Sequence, residues 1–178
     1  MLRNLAAAGL LSAACVPAWA SAPETDAQWE RYFSVWANDG TATPGAVEKF
    51  YAGRVNYYGH EMTPAEVYRD KSYLMRLWPV RSYHVRPGTV RSSCSGDNNN
   101  CQVTLALDFL SGNPARGDGV LGVATLSLAL TRQDGEMKIE RENGVTVLRS
   151  SCRLQGSDWR LESSWQCSPF HFPPLPGS

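Results

Sequence analysis

Apolar residues near the start of the chain recur at helical spacing. Thr25 and the glutamine three residues later form a capping box, and four aromatic residues follow at i, i+3, i+4 and i+7: Trp29, Tyr32, Phe33 and Trp36. This first helix is predicted to end at Gly40. Thr43-Pro44 then begins a second helix, whose apolar face is predicted to include Tyr51 and to stop at Gly53.

A third helix has the clearest start signal. Thr63-Pro64-Ala65-Glu66 combines an N-cap, a proline at the first helical position and a glutamate that completes a capping box. This helix is predicted to run to about Leu77 and to end before Pro79. Between the second and third helices, residues 54–58 have the composition of a short strand that ends at Gly59.

After residue 79 the hydrophobic period changes to the two-residue alternation of strands. Strand segments are predicted at residues 82–93 (interrupted near Pro87-Gly88), 102–110, 122–131, 137–142 and 144–149. Long alternating strands joined by short turns indicate a strongly curved antiparallel sheet with one buried face. The sequence therefore predicts an α+β domain in which three N-terminal helices pack on that sheet.

Length and charge exclude several classes of protein. The 178 residues are enough for one domain with its own core, and 43% of them are hydrophobic. Seventeen basic residues balance seventeen acidic ones, so there is no charge excess that would indicate nucleic acid or an anionic membrane as a partner. No segment is long and apolar enough to be a transmembrane helix.

The first twenty residues have the features of a signal peptide. Arg3 supplies positive charge, residues 5–15 form a short apolar run, and Ala18-Trp19-Ala20 matches the pattern that signal peptidase cleaves. We therefore expect cleavage after Ala20 and a periplasmic or secreted protein. A lipoprotein signal at residues 11–15 is the rival interpretation, but its leucine lies one position too far upstream of the cysteine.

Export would place the cysteines in an oxidising compartment. Cys15 leaves with the signal peptide, and four others remain: Cys94, Cys101, Cys152 and Cys167. These allow three pairings. The turn-forming residues 95–100 make a local Cys94–Cys101 bridge attractive, and Cys152–Cys167 would then close a C-terminal loop. We expect no metal site, because neither a C-x-x-C motif nor a paired histidine spacing is present.

The order helix, helix, short strand, helix and then a meander of long strands resembles the NTF2-like (SnoaL-like) cone fold. The stretches Val47–Tyr51, Tyr57-Tyr58-Gly59 and Asp70-Lys71 to Trp78-Pro79 look like those of exported bacterial NTF2-like domains of unassigned function. The resemblance covers roughly residues 25–149. We therefore expect three parts: a signal peptide at 1–20, an NTF2-like domain at 21–149, and a disulfide-linked C-terminal extension with a Pro-rich tail at 150–178.

The resemblance implies a ligand pocket at the open end of the cone. Some members of the superfamily are small lyases or isomerases with an Asp, His or Tyr in that pocket, whereas others bind without catalysis or act as interaction modules. Because no clear catalytic constellation is present, we expect a module that binds a small apolar or aromatic ligand or a protein. The alternatives are a lyase or isomerase that uses acid–base catalysis, and a structural envelope protein that dimerises through its sheet face.

Asp70 and Lys71 are the most informative pair of polar residues. At least one of them lies beside the apolar stripe of the third helix. Asp70 is either a general base near the pocket or part of a salt bridge or backbone hydrogen bond that locks the helix to the sheet. His60 follows the short strand near the predicted opening and is the best acid–base candidate among the histidines. Asp108 is a third candidate if the polar face of its strand lines the pocket. The predicted ligand-binding residues are Tyr51, Tyr57, Tyr58, His60 and Asp70.

Residues 117–122 match the glycine pattern of a dinucleotide-binding loop by letters only. That motif requires a helix after it, whereas a strand follows here, so the glycines fit a hairpin connection better. The sequence also contains no G-x-S-x-G, H-E-x-x-H or P-loop motif. We therefore expect no cofactor.

Overall fold

The computed structural model describes residues 26–155 and 164–169. The expected signal peptide, the N-cap residue Thr25 and the Pro-rich tail lie outside the described residues. The helices are α1 Asp26–Ala37, α2 Pro44–Phe50 and α3 Pro64–Leu77. Within the described part of the chain, none of them is long and apolar enough to cross a membrane.

Threonine caps start α2 and α3 at the positions that the sequence indicates. The Thr43 side chain accepts a hydrogen bond from the backbone N–H three residues on, and Thr63 and Glu66 form the full capping box. These bonds satisfy N–H groups that have no partner within the helix. The end of α2 differs from the expectation: Tyr51 leaves the helix and begins a strand that pairs with Ile139, because sheet pairing overrides a helical side-chain spacing.

One sheet contains the strands of the described residues: β1 Tyr51–Tyr57, β2 His60–Met62, β3 Val80–Val85, β4 Arg91–Cys94, β5 Asn100–Asn113, β6 Asp118–Gln133, β7 Glu136–Leu154 and β8 Trp165–Cys167. Their order is β2-β1-β7-β6-β5-β3, with β4 on β5 and β8 on β7. The expectation of an antiparallel sheet is wrong at β1 and β7, which pair in parallel and make the sheet mixed. A parallel pair needs a long connection, and the chain supplies one through α3 and the intervening strands.

Two bulges in β7 decide which of its residues face the helices. In the pairing of β6 with β7, Glu140 and Val147 are extra residues without a partner on β6. Because side chains alternate between the two faces of a strand, each extra residue moves the following side chains to the opposite face. Glu142, Gly144 and Thr146, between the two bulges, consequently face the inner side of the sheet.

The main core lies between the helices and this inner face. It contains the four aromatic residues of the α1 stripe together with residues of the sheet, among them Val103, Leu105 and Leu128. Tyr32 is at its centre: its ring packs edge-on against Phe33 and Phe50, with centroids 4.9 and 5.0 Å away. The apolar spacing of α1 therefore corresponds to a packed helix face.

A smaller apolar cluster lies on the outer face of the sheet. Leu110, Cys152 and Trp165 are buried in it. The indole ring of Trp165 lies directly over Gly112 and Gly119, where an added Cβ would come within 2.5 and 2.9 Å of the ring. Two glycines on neighbouring strands thus let the indole approach the backbone closely.

The two disulfides, Cys94–Cys101 and Cys152–Cys167, close loops with sequence separations of 7 and 15 residues. A crosslink stabilises a fold largely by reducing the entropy of the unfolded chain, and this effect grows with loop length.

We expect Cys152→Ala/Cys167→Ala to lower the free energy of unfolding by about 3 kcal/mol, and Cys94→Ala/Cys101→Ala to lower it by about 2 kcal/mol. Urea denaturation of both variants measures the difference, and a larger loss at the shorter loop would contradict this explanation.

Candidate functional site

A cavity of about 400 Å³ lies between the helices and the inner face of the sheet. Residues of α1 and α3 form one wall, and residues of β1, β3, β5, β6 and β7 form the other. Aromatic and aliphatic side chains dominate the lining: Phe33, Trp36, Tyr57, Tyr58, Leu74, Met75, Trp78, Tyr83, Leu107, Phe109 and Leu126. Lys71, Arg81 and Glu142 are its charged members among the described residues.

Glu142 is the centre of the polar network at the base of the cavity. Its side chain is 3% exposed, and its Oε1 accepts a hydrogen bond from Nζ of Lys71 at 3.1 Å. The Lys71 side chain, which extends from α3, is 14% exposed. Charges removed from water to this extent need a partner, because an isolated buried charge is strongly disfavoured. The ion pair therefore fixes α3 to β7.

Two tyrosine hydroxyls engage the other oxygen of Glu142. The Tyr32 hydroxyl donates to Oε2 at 2.8 Å, the Tyr51 hydroxyl donates to the same atom, and the two hydroxyl oxygens are 2.6 Å apart. Tyr32 belongs to α1 and Tyr51 to the start of β1. The carboxylate thus joins α1, β1 and α3 to β7, and both of its oxygens are occupied.

The ammonium group of Lys71 lies among four aromatic rings. Its Nζ is 4.9 Å from the ring centroid of Trp36, 5.2 Å from that of Tyr57, and 5.8 Å from those of Tyr32 and Tyr51. These distances allow cation–π attraction, which partly replaces the lost contact with water. The aromatic stripe of α1 therefore holds a charge in addition to filling the core.

Burial and charge fix the ionisation of this network. Burial by itself would lower the pKa of Lys71, but the adjoining Glu142 carboxylate raises that pKa well above the usual range. Burial, and after it the negative charge of Glu142, raises the pKa values of Tyr32 and Tyr51. At neutral pH Lys71 is therefore charged, and both tyrosines are protonated and able to donate.

Arg81 on β3 closes one end of the cavity and is itself buried, with a side chain 2% exposed. Its Nε donates to the carbonyl of Trp36 at 3.0 Å, and its Nη1 donates to the carbonyls of Met75 and Trp78 at 3.0 and 2.6 Å. Its Nη2 is paired with the Asp39 carboxylate. The guanidinium thereby satisfies carbonyls at the C-terminal ends of α1 and α3 that have no partner within the helix.

Tyr58 lies at the cavity in a backbone conformation that is unusual for a tyrosine. Tyr58 and Gly59 form the two-residue turn between β1 and β2, with φ angles of 50° and 85°. The Tyr58 hydroxyl lies close to Gly144, since an added Cβ there would be 2.9 Å from it. Burial, with the negative charge of Glu142, raises the pKa of Tyr58 to about 12. The turn thus brings an un-ionised phenol to the cavity.

Four of the predicted ligand-binding residues meet in the structure, but beside the cavity. Tyr57, Tyr58, His60 and Asp70 line a separate depression of about 380 Å³, and of these four the two tyrosines also line the cavity itself. His60 is exposed and Asp70 is half-buried. Burial, then the charge of Glu142, raises the pKa of Tyr57, and Asp70 adds to this shift. The fifth residue, Tyr51, lines neither the depression nor the cavity, and its hydroxyl donates a hydrogen bond to Glu142.

Asp108 lies away from the cavity. Its neighbours Leu107 and Phe109 line the cavity, so the alternation of β5 places Asp108 on the opposite face. There its half-exposed carboxylate is 2.9 Å from Arg86, which forms a surface ion pair with it. Asp108 is a catalytic candidate only if the polar face of its strand lines the pocket. In the structure that face lies on the other side of the sheet.

Glu142, Tyr32 and Trp36 belong to the site but are not among the residues predicted from the sequence. The helical spacing of the two aromatic residues indicates a core position and gives no sign of the charge beside them. If side chains alternated regularly from the buried Ile139, Arg141 would face the interior. The bulge at Glu140 shifts the alternation by one residue, so Glu142 faces the interior instead. One interpretation of the sequence is a structural salt bridge at Asp70, whereas in the structure the adjacent Lys71 forms a salt bridge and its partner is Glu142.

Among the described residues that line the cavity, Glu142 carries the one carboxylate, and Lys71 and two phenols donate hydrogen bonds to it. In the described ranges, no group of three or more His, Cys, Asp or Glu side chains is placed to hold a metal ion.

Solved structures show the same fold. An NTF2-like superfamily protein from Salmonella enterica serovar Typhimurium has a TM-score of 0.55 and 10% identity, over 68% of this chain and 89% of its own. A proposed dehydratase of the NTF2-like family from Streptomyces avermitilis has a TM-score of 0.51 and 17% identity, over 70% of this chain and 99% of its own. A Kribbella flavida protein has a TM-score of 0.57 and 9% identity, over 70% and 95%.

A comparison with protein-family models gave no match, and neither did a comparison with curated proteins. Identities of this size establish the fold and nothing more specific. The chain therefore has the NTF2-like fold that its order of elements resembles.

Proposed function

We propose that this protein binds a small, largely apolar or aromatic molecule in the cavity between the helices and the inner face of the sheet. The observation that carries the proposal is an apolar cavity of about 400 Å³ with the Lys71–Glu142 pair fixed at its base. Sites for small molecules typically have this size and combine an apolar lining with a few placed polar groups.

The proposal assigns different roles to the residues around the cavity. Tyr57 and Tyr58 contact the ligand, whereas Tyr51 positions Glu142. His60 and Asp70 line the neighbouring depression, where they meet a ligand that extends out of the cavity. The protein with the dehydratase name shares the fold, and the one carboxylate among the described lining residues of this cavity, Glu142, already accepts three hydrogen bonds.

We also propose that the protein acts outside the cytoplasm, as one domain that begins near residue 21 and whose sheet includes the end of β7 and β8 from the expected C-terminal extension. The signal-like residues 1–20 support export. The disulfides Cys94–Cys101 and Cys152–Cys167 support an oxidising compartment.

Two adjacent residues of β6 allow a matched test of the cavity. Ala124 lines the cavity, whereas Thr125 is exposed on the other face. We expect 1-aminoanthracene, an uncharged fluorescent probe, to bind the wild type saturably with one molecule per chain. Ala124→Phe fills the cavity and should weaken binding at least tenfold, whereas Thr125→Phe adds the same ring outside and should change it less than twofold. Fluorescence titration measures both effects.

Thermal unfolding of each variant shows that the comparison is between folded proteins. Absence of saturable binding to the wild type would contradict the proposal. Equal weakening in the two variants would also contradict it, since the probe would then bind elsewhere.

A further inference from the structure

We infer that the ligand of this cavity carries an anionic oxygen group, of the carboxylate class, that is bound by Lys71. The inference rests on the proposed function and names the chemistry of the ligand for the same site.

Glu142 carries the one carboxylate among the described lining residues, and it already accepts three hydrogen bonds. Oε1 of Glu142 accepts from Lys71, and Oε2 is engaged by Tyr32 and Tyr51. A cationic ligand would therefore compete with Lys71 for this carboxylate and would be repelled by the Lys71 ammonium group. The hydroxyls of Tyr58, Ser111 and Thr146 can donate or accept, so they do not select for either charge.

The donors, in contrast, are in excess. An ammonium group has three N–H donors, and Glu142 takes one from Lys71; the described residues supply no hydrogen-bond acceptor for the other two. Trp36, which lines the cavity and is 5% exposed, has an indole N–H without a hydrogen-bond partner among the described residues. Buried donors without acceptors are costly, so a ligand that brings acceptor oxygens gains affinity by satisfying them.

The charges around the cavity agree with this assignment. Lys71 and Arg81 both line it, and Glu142 supplies one carboxylate there, whereas Asp39, the ion-pair partner of Arg81, is exposed and does not line it. Burial raises the pKa of Tyr83, but Arg81 and Lys71 each act to lower it, which places positive potential at this wall of the cavity. An anionic group at Lys71 would leave the rest of the ligand against Leu107, Phe109 and Leu126.

Two probes of the same shape test the charge preference. 2-Naphthoate carries a carboxylate, and 2-naphthamide is its neutral counterpart. We expect the wild type to bind the naphthoate at least tenfold more tightly than the amide, as measured by calorimetric titration. In Lys71→Met/Glu142→Gln, which removes both charges together, the ratio of the two affinities should fall to about one while the amide still binds.

Lys71→Arg provides a second comparison, because it keeps the positive charge and should keep the preference for the naphthoate. Equal affinities of the two probes for the wild type, or a preference that persists in the uncharged double variant, would overturn the inference. Amide binding that Ala124→Phe abolishes would, in that case, still support the proposed function. If neither probe binds the wild type, the inference fails, and 1-aminoanthracene binding then decides whether the proposed function stands.

Discussion

Lys71→Met is expected to lower the free energy of unfolding by about 3–5 kcal/mol, the usual result of removing one partner of a buried ion pair. Methionine fills much of the same space, so the loss comes from Glu142, which is 3% exposed and would keep its charge without a cation beside it. The two phenol donors, Tyr32 and Tyr51, compensate only partly. Urea denaturation at pH 7 measures the change.

The double variant Lys71→Met/Glu142→Gln is the matched control. It removes both charges and keeps an amide oxygen that can accept from the two tyrosines, so most of the lost stability should return. A double variant as unstable as Lys71→Met would show that the methionine itself disturbs the packing, and would contradict the ion-pair explanation.

The ion pair should not make the stability of the wild type depend on pH near neutrality. The pKa of Lys71 is raised in the folded state from its ordinary value of 10.5. The stability that this shift contributes is present in full below the unfolded pKa and is lost only as the pH rises through the folded one. Its effect is consequently confined to strongly alkaline solution.

Arg81→Met is expected to have the second large effect, a loss of about 3 kcal/mol or more in the free energy of unfolding. The guanidinium satisfies the carbonyls of Trp36, Met75 and Trp78 in a region where its own side chain is 2% exposed. Methionine offers no donor, so carbonyls at the ends of α1 and α3 would lose their partners. Both helices form walls of the cavity, and 1-aminoanthracene binding should weaken as well.

Arg141→Met is the control for Arg81→Met, because Arg141 is exposed. Its effect should stay within about 0.5 kcal/mol, as is usual for surface substitutions. Arg81→Lys separates charge from geometry: lysine keeps the charge but lacks the planar array of five donors, so it should recover only part of the loss. Full stability in Arg81→Met would show that the three carbonyls do not depend on the guanidinium.

Local signals in the sequence were sufficient for the helix starts and for most of the strands. The caps at Thr43 and Thr63 depend on residues no more than three positions away, so they can be recognised without knowledge of the rest of the fold. The alternation of Val103, Leu105 and Leu107 likewise predicts which residues share a face of β5. Tyr51 shows the limit of such signals. Its spacing from the preceding apolar residues is helical, but in the structure it pairs with Ile139, which belongs to a strand far along the chain.

The sequence by itself determined the types of the elements, their order and the resemblance to the NTF2-like cone, because these depend on short-range periodicity and capping. Tyr57 and Tyr58 of the cavity were also predicted, but the tertiary structure alone decided its charged centre. The bulge at Glu140 turned Glu142 inward, and the packing of α3 placed Lys71 3.1 Å from it. The inward position follows from a one-residue shift in strand pairing, and the contact joins residues 71 positions apart. Neither the inward position of Glu142 nor its contact with Lys71 can be predicted from spacing along the chain, because both depend on how distant segments pack.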